Sequence, residues 1–367
     1  MARMDPELDK ALTEALLLAR RGDAGATDSF IRKVRAGFHP RDSFDAMARL
    51  MVAEVIAHLY AGRTTEARDR LARSLALSTA SRHLANMALA RAWLAYLDYD
   101  ALRIKSFAEL AFAVIKAGEE APWHARARVA SLLGTAYQLC ECPPTARRWF
   151  DYARHSAISD HDQLMLSTVI FNMSATRFSV ARLNLICESV ADAVEPTDIM
   201  FLCSSEAYDA MVGLSVLGYF HPMLQGLATS TKGDFKAALK HFESYGVAAE
   251  STLDRRADAV AYAEAAWCHV KLQHTDVALV RAREAAERIS LTTDLDDLAV
   301  AHRRLADVFA ACGDAAAAAS HAEASNYASS GAHGRRKIVL NVSRLSRRAL
   351  CRSLLSGSIS RPTPAAR

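Results

Sequence analysis

Small residues return along this chain at a near-constant interval, and that interval narrows the folds open to it. Ala67, Ala108, Ala146, Ala238, Ala278 and Ala318 sit at comparable points of amphipathic helical segments, with Ile186 a looser member between Ala146 and Ala238. Successive spacings are 41, 38, 40, 52, 40 and 40 residues. A small residue recurring in this way marks a close helix crossing in each of a series of like units, since a short side chain lets two backbones approach. Such units stack on their neighbours and bury one continuous core, which is the physical basis of a solenoid.

The stretch from Ala127 to Ile158 shows the unit most clearly. Leu133, Gly134 and Tyr137 are followed at fixed offsets by Ala146, Phe150 and Ala153. The small residues 134, 146 and 153 permit close approach, while Leu133, Tyr137 and Phe150 fill the space between helices. Pro143-Pro144 separates the two helices, because proline cannot continue a helix but fits a first turn. In these residues the chain resembles a tetratricopeptide (TPR) repeat, whose signature has Leu, Gly, Tyr, Ala, Phe and Ala at the same offsets. Ala130 stands where the family has Trp, and Ile158 where it has a closing Pro.

The period near 40 resembles the long helical repeats of bacterial regulators: maltose-activator-like transcription factors, peptide-sensing Rap-type proteins and the sensor parts of some diguanylate cyclases. This likeness covers about 45–328. It implies an all-α fold, a right-handed α-solenoid of about seven TPR-like helical hairpins. It also implies a non-catalytic protein- or peptide-binding scaffold or sensor in bacterial signalling or regulation. The alternative is the regulatory region of a signalling enzyme or transcription factor, such as the TPR part of a diguanylate cyclase or a Rap-like regulator, with its output domain missing.

Composition agrees with helix throughout. Only 9 Pro and 15 Gly interrupt 367 residues that are 51% apolar, and no stretch alternates β-branched residues with period two. The expected organisation is an N-terminal helical hairpin over 1–44, the solenoid over 45–330, and a basic C-terminal helix with a disordered tail over 331–367. The hairpin is read as helices Pro6–Arg21 and Thr27–Gly37, broken by Gly22-Asp23 and Gly25. The 52-residue spacing places a dozen extra residues near 199–232. There Ile199–Leu217 reads as one helix, and Ala181–Val194 as the second helix of the fourth repeat. Two explanations stay open for that spacing: a groove widened by a change of curvature, or a tolerated insertion at a repeat junction.

Several function classes fall away. All acidic residues lie at or before Glu323, so the body carries 36 basic against 41 acidic groups, while nine Arg and Lys follow it. A mildly acidic solenoid argues against nucleic-acid binding by the body. The amino end lacks the apolar run of a signal peptide, and the uncharged stretch 210–231 is short and broken by Gly and Pro; the expectation is a cytoplasmic protein with no membrane span. Seven cysteines, an odd number and mostly alone, read as free buried thiols. Cys140 and Cys142 lack further ligands at metal-site spacing, and the polar cluster of His155 with Asp160-His161-Asp162 is explained by Ser159 or Asp160 capping the following helix. No nucleotide-binding, zinc-protease or nucleophile-elbow motif is present, so no enzyme activity, cofactor or metal is expected.

In TPR solenoids the first helices line the concave face. Carried over from the resemblance, the ligand positions are Arg128, Ser131, Thr135 and Gln138 in one repeat, Phe171, Asn172 and Ala175 in the next, then Trp267 and Lys271, then Arg303 and Asp307. Arg, Lys, Asn and Gln beside Trp and Phe suit an extended protein or peptide segment in the groove, with amides on its backbone and aromatics on its side chains. Each aromatic taken singly also suits plain packing between repeats. The tail offers a second candidate: Ile338, Val342, Leu345, Ala349 and Leu354 form an apolar stripe beside Arg344, Arg347, Arg348 and Arg352. That helix either caps the last repeat or meets an anionic lipid surface or acidic partner.

Overall fold

A computed structural model describes residues 5–21, 24–37, 43–60, 66–187, 190, 194–213, 217–250, 255–292 and 294–355. Among the described residues there are sixteen α-helices and no strand. They form eight successive packed pairs: α1 (Pro6–Arg20) with α2 (Ala24–Gly37), α3 (Phe44–Tyr60) with α4 (Ala67–Ala80), α5 (Leu84–Asp100) with α6 (Ile104–Lys116), and α7 (Trp123–Leu139) with α8 (Pro143–Ser159). After these come α9 (Gln163–Ile186) with α10 (Pro196–Val212), α11 (His221–Thr231) with α12 (Phe235–Glu250), α13 (Asp258–Lys271) with α14 (Thr275–Arg288), and α15 (Leu295–Ala311) with α16 (Ala315–Leu355).

Local sequence sets these pairs. Five of them turn through three residues whose middle member is left-handed: Leu102, Glu141, Gly233, Gln273 and Gly313, with φ from 54° to 86°. That conformation reverses the chain tightly, and it costs about 1–2 kcal/mol wherever the residue is not glycine. Across the pairs the small residues do what their spacing predicts. A Cβ on Gly134 would lie 2.8 Å from the Phe150 ring, and one on Gly226 would lie 2.7 Å from the Phe242 ring. Ala146, Ala153, Ala238, Ala278, Ala282 and Ala285 are fully buried.

First helices stack in series: α1 on α3, α3 on α5, α5 on α7, and α7 on α9; further on, α11 packs on α13 and α13 on α15. Between α9 and α11 the series is interrupted, and α9 packs on α15 instead. Leu183 and Ile186 of α9 meet Ala299 and Val300 of α15 and Ala328 of α16 in one apolar cluster. Farther along, α16 lies against α6 and α7, where Arg336 Nη1 donates to Glu141 Oε1 at 2.8 Å and Cys140 Sγ donates to the Arg336 carbonyl at 3.5 Å. At the other end Arg20 of α1 pairs with Asp162 at the start of α9. The solenoid therefore folds back on itself around α9.

Four sequence expectations change here. The fourth repeat does not turn near residue 181; α9 continues to Ile186, because nothing between 163 and 186 is Gly or Pro. The extra length lies in α9 and the connection after it, not in 199–232. The segment read as Ile199–Leu217 is α10, started at Pro196 by a capping box of Glu195 and Asp198 and ended at Gly213 with φ 66°. The boundary at 330 falls within α16, one helix from Ala315 to Leu355. The tail's apolar stripe and residues 356–367 lie outside the described side chains.

Among the described helices α9 alone is long and apolar enough to cross a membrane, with mean hydropathy 1.2 over its best window, but 56% of that window is buried in the fold. It reads as apolar because it packs on α7, α8, α10 and α15. Of six described cysteines, none in a disulfide, Cys140 and Cys268 are buried, and Cys203 is exposed, contrary to expectation. The cap of α9 is Asp162, which accepts from the Met165 amide at 2.9 Å, and not Ser159, which ends α8, or Asp160, which follows it.

Candidate functional site: the central cavity

Where the stacking of α9 on α11 gives way, a cavity of about 760 Å³ remains. First helices supply most of its walls. Trp93 and Tyr96 come from α5, Arg128 and Ser131 from α7, and Arg21 follows α1. The stripe Thr168, Asn172, Ala175, Ser179, Arg182 comes from α9. These five recur at intervals of three and four, so they occupy one face of the helix. That face is the polar one of an otherwise apolar helix.

Opposite lies an apolar wall made by Leu217, Tyr219, Phe220, Met223, Leu224 and Leu227, the approach to α11 and its first turns. Tyr219 and Phe220 sit with ring centroids 4.1 Å apart, and Phe220 is 6.0 Å from Phe171 of α9. Behind them His221 Nε2 is 3.0 Å from Asp209 Oδ2, and Asp209 also accepts from the Ser167 hydroxyl. Serine and histidine both face the carboxylate here, so the histidine is not placed to take the serine's proton. The arrangement ties α9, α10 and α11 together.

The positions carried over from the resemblance divide into groups. Arg128, Ser131 and Asn172 meet at the cavity: Asn172 Nδ2 donates to Ser131 Oγ at 3.3 Å, and the Arg128 guanidinium stacks 3.6 Å from the Trp93 ring centroid. Phe171 and Ala175 line it as well. Thr135 and Gln138 lie further along α7, half-buried and off the cavity wall. Trp267, Lys271, Arg303 and Asp307 form a second group on α13 and α15. There Lys271 Nζ is 4.4 Å from the Trp267 ring, and Arg303 pairs with Asp307 at 3.2 Å. None of those four lines the cavity.

Arg182, Ser179, Arg256 and the wall at 217–227 are cavity residues that the sequence reading missed. The signal for Ser179 and Arg182 was present, since they continue the stripe from Asn172 by seven and ten residues. It went unused because the expected repeat ended the helix before them.

Arg182 is 3% exposed and ties the cavity to the core. Its Nη2 donates to Glu264 Oε2 at 2.8 Å, and Arg304 Nε donates to the same oxygen at 2.9 Å. Ser230 Oγ donates to Glu264 Oε1 at 2.8 Å. Burial alone would raise the Glu264 carboxyl, but Arg304 and Arg182 beside it outweigh that and hold it at about 2. One carboxylate thereby joins α9, α11, α13 and α15. Arg182 Nε makes no hydrogen bond, and a buried N–H left in that state costs about 1–3 kcal/mol.

The cavity lining carries Arg21, Arg128, Arg182 and Arg256 against one acid, Asp297. Its size falls in the range of about 300–1,000 Å³ typical of pockets that enclose small ligands.

No family model matches the sequence, and no curated protein is a significant match. Among solved structures the chain is similar to a Rap protein complexed with competence and sporulation factor, at 11% identity over 90% of this chain and 100% of that one, with a TM-score of 0.61. It also aligns with the TPR domain of P58(IPK) at 12% identity over 94% of this chain and 99% of that one, with a TM-score of 0.26, too low to support an argument. At such identities the likeness is one of fold. The chain has a TPR-like helical-repeat fold, an all-α solenoid.

Proposed function

We propose that this solenoid is a non-catalytic binding module that holds a protein or peptide segment on its concave face, in bacterial signalling or regulation and within the cytoplasm. The observation that carries the reading is the cavity itself. First helices from four successive pairs converge on one partly open space of about 760 Å³, lined by arginines, an amide, hydroxyls and aromatic rings. A segment lying there would meet hydrogen-bond donors for its backbone or carboxylates on α7 and α9 and apolar surface on the other side. The similar Rap protein was solved as a complex with competence and sporulation factor, a precedent for ligand binding on this fold.

The test compares two double variants in affinity capture from lysate of the source cells, followed by identification of retained proteins. Arg128→Ala with Asn172→Ala should abolish retention of the specific partner, with the melting temperature nearly unchanged, because partly exposed polar groups add little stability. Lys271→Ala with Arg303→Ala probes the second group. Loss with the second pair and retention with the first would overturn the cavity reading in favour of the α13–α15 face.

A further inference from the structure

The cavity has two chemically different sides. Toward α7 and α9 stand Arg128, Ser131, Asn172 and Arg182, and the whole lining holds four arginines against Asp297. Toward α11 stand Tyr219, Phe220, Met223, Leu224 and Leu227, with no charged group among them. The apolar side is built to hold its shape. Gly213 ends α10 in the left-handed conformation, a 3-10 turn spans Gly218–Phe220, and Pro222 lies in the first turn of α11. Asp209 then fixes His221 from behind, and His221 packs edge-on against Phe171 at 5.6 Å. On the cationic side, Arg182 is buried, lines the cavity, and has an Nε–H without an acceptor.

We propose that the ligand is an amphipathic organic anion, a carboxylate attached to a bulky apolar group, and that the segment Leu217–Leu227 is the wall that selects the apolar part. The carboxylate faces the arginines of α7 and α9, where charge-assisted hydrogen bonds discriminate against neutral groups. The apolar group lies on Tyr219, Phe220 and Met223, where offset or edge-on ring contact favours an aromatic or branched aliphatic body. A peptide ending in a free carboxylate and an apolar side chain has this chemistry, and so has a free medium-chain acid. The inference rests on the cavity being the binding site.

The test uses the full chain and a fluorescent probe of matching chemistry, 8-anilinonaphthalene-1-sulfonate, with neutral N-phenyl-1-naphthylamine as its uncharged counterpart. The sulfonate probe should bind at one site and at least tenfold more tightly than the neutral one. Tyr219→Ala with Phe220→Ala should weaken it at least tenfold. Phe220→Leu, which keeps the wall filled, serves where the double variant melts early, and should weaken binding by a smaller factor. Dodecanoate and a short peptide ending in phenylalanine, tested beside the peptide's C-terminal amide, identify the source: displacement by the free peptide but not its amide marks a peptide terminus, and displacement by dodecanoate alone marks a free acid. Equal affinity for the two probes, or no displacement by either carboxylate, overturns the proposal. If partner capture depends on Arg128 and Asn172 while probe binding ignores both wall variants, the binding function stands and the selecting wall is refuted.

Discussion

Replacing Glu264 by glutamine should destabilise the fold by roughly 3 kcal/mol, more than its near-identical shape would suggest. The native carboxylate accepts from Arg182, from two nitrogens of Arg304 and from Ser230, at 2.8 to 3.3 Å, while 1% exposed. Glutamine keeps one acceptor oxygen and turns an NH2 group toward guanidinium donors, so at least one bond is lost, and buried Arg182 and partly buried Arg304 lose the charge they share. Breaking such a buried pair from one side costs about 3–5 kcal/mol. The proton linkage gives a similar figure. A carboxyl at about 2 rather than 4.5 corresponds to roughly 3 kcal/mol at about 1.4 kcal/mol per unit. The sign is that of a depressed acid: the contribution is fully present above pH 4.5 and is lost as the pH falls toward 2. Urea unfolding of native chain and variant at pH 7, repeated down to pH 3, measures both quantities. The variant should be much weaker at neutral pH, and its stability should fall less steeply on acidification. A loss below about 1 kcal/mol at neutral pH, or an unchanged acid slope, would show that Glu264 is not the joint between α9, α13 and α15.

Two further predictions address the close crossings and the last helix pair. Gly134→Ala and Gly226→Ala should each lower thermal stability, since a methyl 2.8 or 2.7 Å from the Phe150 or Phe242 ring brings overpacking of about 1–3 kcal/mol against about 1 kcal/mol of gained helix propensity. Adding Phe242→Leu to Gly226→Ala should recover part of the loss, and a rise in melting temperature for either single variant would refute the register. His302 and His321 face each other with Nδ1 atoms 2.9 Å apart, and burial together with the neighbouring His321 depresses His302 to about 4. Both rings are therefore neutral in the fold, so their contribution is complete above about pH 6.5 and declines as the pH falls toward 4. After allowance for solvent screening of half-exposed groups the effect is about 1 kcal/mol. His302→Gln should flatten stability between pH 6.5 and 4, and an unchanged profile would refute the pairing.

Much of this protein is decided over short stretches of sequence. Gly134 with Phe150 and Gly226 with Phe242 lie sixteen residues apart and meet through one tight turn, so the spacing itself states which helices cross and how closely. The same holds for Arg128, Ser131 and Asn172, which one repeat register brings to the wall of the cavity. The path of the solenoid is another matter. Arg182, Glu264 and Arg304 are separated by 82 and 40 residues, and Arg336 and Glu141 by 195. No local pattern marks one of these as the partner of another, because a charge on a helix face reads alike whether water or a distant counter-ion will meet it. The helix α9 shows the limit most plainly. The apolar character of its other faces could not reveal that its last turns would pack on α15, nor that the space beside α11 would remain a cavity. Hairpins follow from contacts close in sequence, whereas the fold-back depends on which exposed faces match once all the hairpins exist, and tertiary structure alone decides that.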